Sequence, residues 1–226
     1  MIKNLLNLVF PKCCLGCNTL LLQNEEILCL FCREDLPITH QHLSASSYVM
    51  GKFYGKVRIE KAACYIYFNK GGIVQTLFHQ LKYRKHQEIS YFLGQLYAAA
   101  LLDSNFLHTI DEIVMVPLHP KKQKIRGYNQ VEGFAKAISE TFNIPINNSL
   151  LYKTQKTESQ TTKSLLQRNY KKKEVFAVNK ECGKTGTHFL LLDDILTTGA
   201  TLEVCSKKLL EIPHSKVSIL CLAQTV

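Results

Sequence analysis

The sequence predicts an α/β protein, a parallel sheet flanked by helices, with a small cysteine-rich module ahead of it. Short apolar runs at residues 62–68, 113–116, 189–192 and 217–222 have the length and composition of strands buried on both faces. Between them lie longer stretches in which apolar residues recur every three or four positions, as in helices. Four cysteines in two close pairs precede this alternation.

Helices are predicted after the first three of these strands. Alternation of apolar residues with tyrosines predicts the strand at residues 62–68, and two adjacent glycines soon follow as a break. The apolar faces of the predicted helices begin at Ile73, Ile89, Val131 and Leu202.

Length, charge and cysteine content limit the classes of protein. The 226 residues suffice for one substantial domain with a small appendage. The net charge of +10 favours polyanionic partners, a nucleic acid or a phosphorylated small molecule, although surplus lysine also aids solubility. No run approaches the roughly 20 apolar residues that cross a bilayer, and the N-terminal stretch lacks a signal-peptide layout. We therefore expect a cytoplasmic protein without a membrane span, in which nine cysteines serve as metal ligands or buried thiols.

Two CxxC pairs predict a structural zinc site. Cys14 and Cys17 form the first pair, and Cys29 and Cys32 form the second after eleven intervening residues. Each pair directs two thiolates at one ion, and two pairs complete a closed tetrahedral set. Cys13 is an alternative to Cys14, but only Cys14 has the CxxC spacing. Four incidental thiols, or a redox CxxC, account less well for paired spacing.

A polar, irregular stretch at residues 40–56 indicates a connection between two domains. We expect the zinc-binding module with its lead-in segment to occupy residues 1–45. The main α/β domain is expected to occupy residues 46–226.

An acidic pair and a hydroxyl-rich loop follow the apolar run at residues 189–192. Asp193 and Asp194 lie at the carboxyl end of the predicted strand, where open α/β sheets bind ligands. A helix is predicted directly after the loop, and free N–H groups at a helix N-terminus favour a phosphate. A chance strand-to-helix turn is the alternative. The loop residues are Thr197, Thr198, Gly199, Ala200 and Thr201.

Basic residues cluster in two further segments. Residues 117–130 follow a strand and predict a basic, proline-containing loop that forms a second anion site. Residues 152–173 contain seven Lys or Arg and one Glu, which predicts a functional loop or a solvated tether. Tyr152 and Tyr170 in that segment offer stacking surfaces to a single-stranded nucleic acid. The basic candidates are Lys121, Lys122, Lys124 and Arg126, with Lys82 in a charged turn that is otherwise an exposed corner.

The acid pair and its loop resemble the 5-phosphoribosyl-1-diphosphate (PRPP) motif of type I phosphoribosyltransferases, an apolar strand with two acids and then T-T-G-x-T. Together with the four cysteines, LKY at 81–83, VPLHP at 116–120 and RGYNQ at 126–130, the chain resembles the ComF family. These competence proteins have a phosphoribosyltransferase-like domain and are associated with DNA uptake in natural transformation.

This resemblance implies roles for the candidate residues. Asp193 and Asp194 would bind the ribose hydroxyls, the TTGAT loop the 5′-phosphate, and the basic loop the diphosphate with Mg²⁺. The segment at residues 152–173 would close over the substrate. In it, Gln160 and Arg168 correspond most closely to a glutamine and an arginine of the family, although Asn169 follows Arg168 directly and the spacing differs.

The resemblance also implies a function, uptake or processing of single-stranded DNA together with DNA-uptake machinery and with PRPP as a ligand. Two alternatives remain open. One is an active Mg²⁺-dependent phosphoribosyltransferase that acts on a nucleobase or a related acceptor, and the other is a PRPP-sensing regulator. No residue pattern in the sequence identifies an acceptor pocket.

Overall fold

The structure is a computed structural model that describes residues 11–44, 48–118, 120–154 and 175–226. Four parallel strands form its main sheet in the order β1-β6-β5-β2, and an antiparallel pair, β3 and β4, forms a second sheet. The bounds are β1 Ala62–Phe68, β2 Glu112–Met115, β3 Leu151–Thr154, β4 Val175–Val178, β5 His188–Leu196 and β6 Lys216–Thr225.

Helices cover both faces of the main sheet. One face packs against α3, α4 and α6, and the other packs against α2 and α7. Short 3₁₀ turns lie at Gln41–Leu43 and Lys180–Cys182. The helices are α1 Leu30–Glu34, α2 Tyr48–Gly51, α3 Ile73–Tyr83, α4 Glu88–Leu101, α5 Pro120–Arg126, α6 Glu132–Phe142 and α7 Ala200–Leu209. In the described ranges, no helix is long and apolar enough to cross a membrane.

The apolar run of β5 is explained by burial on both sides. Leu190 and Leu192 contribute to the apolar cluster on the first face, whereas Phe189 and Leu191 contribute to the cluster on the second. Because neither face meets water, the strand needs no polar alternation. The predicted fold class, a parallel sheet flanked by helices with a small N-terminal four-cysteine module, is confirmed.

Two local predictions were wrong. β5 does not end at residue 192 but continues to Leu196, because Asp193 and Ile195 still pair with Cys221 and Ala223 of β6. The acid pair therefore lies inside β5, near its carboxyl end, and not after the strand. Half of the predicted basic loop at residues 117–130 is the helix α5, since proline suits the first position of a helix and the residues after it are good helix formers.

The cysteine module shares its apolar core with the main sheet. Cys14, Leu28 and Leu36 belong to the same buried cluster as residues of β1, α3 and α4. Gly16 lies against α3 so closely that a Cβ there would stand 2.8 Å from Cδ1 of Ile73. The module is thus packed along α3.

Candidate ligand site and metal centre

The acid pair is held by its own backbone and by one lysine. The side-chain Oδ1 of Asp193 accepts a hydrogen bond of 2.8 Å from the amide of Asp194, and Oδ1 of Asp194 accepts one of 2.7 Å from the amide of Ile195. Nζ of Lys82, in the last turn of α3, lies 2.8 Å from Oδ2 of Asp194. The side chains of this ion pair are only 23% and 18% exposed. Lys82 and Asp194 therefore form one partly buried charged unit.

The carboxyl group of Asp193 has a raised pKa. Burial raises the pKa of Asp193 to about 7, and the negative charge of Asp194 acts in the same direction. The amide of Asp194 and the ammonium of Lys82 lower this pKa, but by less. Near neutral pH, Asp193 can donate a proton as well as accept hydrogen bonds. Such a group suits sugar hydroxyls, which both donate and accept.

The TTGAT loop forms the N-terminus of α7. Gly199 is the N-cap residue with φ 80°, a left-handed conformation that favours glycine, and a Cβ there would stand 3.2 Å from the Phe53 ring. Nζ of Lys52 donates to the carbonyl of Thr197 at 2.8 Å. Thr198 is exposed, and its hydroxyl accepts from the amide of Ala200 at 3.4 Å. The start of a ten-residue helix thus lies open beside the acid pair, as a phosphate site requires.

A cleft of about 280 Å³ lies where the LKY and RGYNQ motifs meet. Asn129 ties RGYNQ to the end of β2, since its Nδ2 donates to the carbonyl of Val116 at 3.1 Å. Lys82 belongs both to this cleft and to the ion pair with Asp194. The cleft is lined by Lys82, Tyr83, Lys85, Ile125, Arg126 and Tyr128.

Among the side chains that the structure describes, two of the predicted basic set come together. Lys82 and Arg126 line one cleft, and Lys124 is exposed on α5. Lys121 and Lys122 lie on α5 as well. Gln160, Arg168 and Tyr170 lie outside the described residues, as does most of the predicted closing segment. Sequence reasoning missed the cleft residues Tyr83 and Tyr128, although both stand inside the motifs that carry the resemblance.

The four predicted metal ligands form one group. The sulfur atoms of Cys14, Cys17, Cys29 and Cys32 all lie within 4.8 Å of one another. The Sγ of Cys14 accepts hydrogen bonds from the amides of Gly16 at 3.4 Å and Cys29 at 3.3 Å. Cys13, the sequence alternative, lies outside the group, and its thiol is directed at the carbonyl of Pro11.

The chemistry of these thiols fits a dication. Two hydrogen bonds from Thr19 lower the pKa of Cys17 to about 6, whereas burial and the neighbouring thiols raise the pKa of Cys32. Four thiols this close repel one another once ionised, and a bound cation removes that repulsion. Four sulfur donors without an open position are the set of a structural zinc site.

The chain is similar to curated proteins with DNA-related names. DNA utilization protein YhgH of Escherichia coli K12 is 28% identical over 207 residues, which cover 90% of this chain and 87% of that protein. Competence protein F of Haemophilus influenzae is 27% identical over 155 residues, which cover 67% of this chain and 68% of that protein. No protein-family model matches the chain.

Solved structures with some likeness include adenine phosphoribosyltransferases and a glutamine PRPP amidotransferase. An adenine phosphoribosyltransferase from Thermoanaerobacter pseudethanolicus is 14% identical, covers 77% of this chain and 99% of its own, and has a TM-score of 0.40. The PRPP amidotransferase from B. subtilis is 14% identical, covers 63% of this chain and 30% of its own, and has a TM-score of 0.42. TM-scores this low support no statement about the site, so the fold class rests on the parallel sheet itself.

Proposed function

From these relatives, which confirm the predicted resemblance to the ComF family, we infer that this protein assists the uptake or processing of single-stranded DNA in natural transformation. We further infer that its phosphoribosyltransferase-like domain binds PRPP. The DNA-related names of the relatives support the first part, and the geometry at the end of β5 supports the second.

The observation that carries PRPP binding is the junction of the acid pair, Lys82 and the N-terminus of α7. Asp193 and Asp194 would bind the ribose hydroxyls, and the residues from Thr197 to Thr201 would bind the 5′-phosphate through free amides and hydroxyls. The diphosphate would lie toward α5, to which Lys121, Lys122 and Lys124 contribute positive charge. Gln160 and Arg168 remain proposed contributors from the closing segment.

Mg²⁺ would be held through the diphosphate oxygens rather than by the acid pair. Asp194 is already neutralised by Lys82, and Asp193 is protonated for part of the time near pH 7. When bound, the ion would offset the charge that develops on a departing diphosphate. The chain's own share is to orient the ribose and the phosphate.

The zinc module is proposed as a structural unit, with its domain boundary near residue 45. Residues 11–44 carry two basic and four acidic side chains, a net charge of −2. A zinc ion with four thiolates adds about −2 more. This charge repels a nucleic acid, so we place the DNA-binding surface on the basic side of the main domain.

Calorimetry with PRPP and Mg²⁺ tests the ligand site. We expect binding by the zinc-loaded protein and no binding by the double variant Asp193→Asn, Asp194→Asn. Asp103→Asn, an exposed acid after α4, serves as the matched control and should bind as the parent does. Unchanged binding by the double variant would reject the assigned site.

A fluorescent single-stranded oligonucleotide tests the DNA function. Binding in low salt should weaken steeply as salt is added, because phosphate contacts release counterions. A response independent of salt contradicts the electrostatic model. Diphosphate release in the presence of PRPP, Mg²⁺ and a panel of nucleobases distinguishes the alternatives, since a transferase releases it only with its acceptor and a regulator releases none.

A further inference from the structure

The cleft beside the acid pair exposes apolar surface among positive charges. Tyr83 is 67% exposed at the end of α3, and Ile125 is 81% exposed on α5. Tyr128 is buried at the same cleft. Large apolar side chains beside lysines and arginines are typical of surfaces that receive a flat, partly apolar ligand carrying a negative charge.

The walls of the cleft are fixed in position before any ligand binds. The hydroxyl of Tyr128 donates to the carbonyl of Leu81, which ties the segment after α5 to the last turn of α3. Nη1 of Arg126 donates to Oε1 of the buried Gln130 at 2.8 Å, so the guanidinium plane has a fixed orientation. The guanidinium carbon lies 5.7 Å from the centre of the Tyr83 ring. Because these side chains are already ordered, little conformational entropy is lost when a ligand binds.

Size and charge narrow the class of ligand. A cleft of about 280 Å³ is at the small end of ligand sites and suits one ring system. Its described lining contains Lys82, Lys85 and Arg126 and no carboxylate, and the nearby Asp194 is paired with Lys82. Arginine and tyrosine are the side chains on which nucleic-acid bases stack without regard to sequence.

We propose that this cleft is a nucleobase-binding site, in which the base stacks against Tyr83 and the guanidinium of Arg126 next to the acid pair. This inference rests on the proposed function and adds the acceptor or strand pocket that the sequence does not identify. A nucleobase in this cleft can come from two sources. It is either a base within single-stranded DNA or a free base that accepts the phosphoribosyl group of PRPP.

The test uses the full, zinc-loaded protein and 2-aminopurine, whose fluorescence falls when it stacks. One probe is an oligothymidylate with a single internal 2-aminopurine, and the other is free 2-aminopurine added with PRPP and Mg²⁺. We expect quenching with at least one probe. Tyr83→Ala should weaken that affinity roughly tenfold to a hundredfold, since stacking on an aromatic side chain contributes about 1–3 kcal/mol per base.

Two further variants make the result specific to the cleft. Tyr83→Phe keeps the ring and should bind within about twofold of the parent. Tyr54→Ala removes a tyrosine that is 89% exposed outside the cleft lining and should bind as the parent does. Quenching of the oligonucleotide alone assigns the cleft to a strand, and quenching of the free base alone assigns it to an acceptor.

Failure of this inference is distinguishable from failure of the proposed function. If the parent binds PRPP or DNA but Tyr83→Ala binds both probes as the parent does, the cleft assignment is wrong and the proposed function stands. If the parent quenches neither probe while PRPP still binds, the cleft is again overturned. If the parent protein binds neither PRPP nor DNA, both the proposed function and the cleft assignment are wrong.

Discussion

Replacing Asp193 with asparagine should make the protein more stable at alkaline pH while it loses its ligand. Asparagine is nearly isosteric, and its Oδ1 can still accept the hydrogen bond that Asp193 receives from the amide of Asp194. What it removes is a carboxyl group that burial and the charge of Asp194 keep from ionising. A buried carboxyl group lowers the stability of the fold, and proteins keep such destabilising groups where a function needs them.

The size of the effect follows from the pKa. The carboxyl group has a pKa of 3.8 as a free side chain and about 7 in the folded protein. Between these values the folded state binds more protons than the unfolded chain, so stability falls as pH rises from about 4 to about 7 and is constant above. Once the carboxyl group is ionised in both states, this difference in pKa lowers the free energy of unfolding by about 4 kcal/mol. The pKa of about 7 already includes the attraction of Lys82, so we expect a gain of up to about 4 kcal/mol at pH 8 and almost none at pH 4.

Urea unfolding at pH 5, 6, 7 and 8 measures this directly, with PRPP calorimetry on the same samples. The parent and the control Asp103→Asn should lose stability across the series, whereas Asp193→Asn should lose less. Equal stability of Asp193→Asn and the parent at pH 8 would refute the burial argument. A stabilised variant that binds PRPP normally would show that Asp193 does not contact the ligand.

Three other substitutions probe neighbouring features. Lys82→Met leaves the charge of Asp194 unpaired and should weaken PRPP binding roughly tenfold to a hundredfold by calorimetry, and equal affinity would contradict a role for the ion pair. Gly199→Ala forces a side chain into the left-handed region against Phe53, so we expect a loss of about 1–2 kcal/mol in urea unfolding and weaker PRPP binding; an unchanged unfolding midpoint would show that the loop adapts. Cys29→Ser removes one of four sulfur donors and should lower the zinc content below one equivalent and the melting temperature with it, whereas Cys13→Ser should retain the metal.

Local patterns predicted most of the elements of the main sheet and the grouping of the four cysteines. The CxxC spacing selected Cys14 over Cys13 because a knuckle brings only residues three apart onto one ion, and the structure places Cys14 in the group. The apolar run of β5 likewise follows from burial alone. Boundaries were harder, since proline both starts turns and occupies the first position of helices, and residues 120–126 proved to be a helix.

Contacts between elements were beyond the sequence. Lys82 and Asp194 are separated by more than one hundred residues, and their ion pair depends on how α3 packs on the sheet. Arg126 and Tyr83 meet for the same reason. The sequence motifs marked Lys82, Arg126 and Asp194 as candidates, but the sequence does not show which side chains share a cleft.

The packing of the cysteine module along α3 would couple the binding of a metal by the module to the binding of a ligand at the other end of the helix. Gly16 lies against the first residue of α3, Nε2 of Gln80 donates to the carbonyl of Leu15 at 2.9 Å, and the same helix ends in Lys82 and Tyr83. If zinc holds this helix in the arrangement that the ligand needs, zinc raises ligand affinity by some factor, and the ligand must raise zinc affinity by the same factor. We therefore expect PRPP to slow the extraction of zinc by a chelator. The rate of zinc release would then report on PRPP binding at the other end of α3.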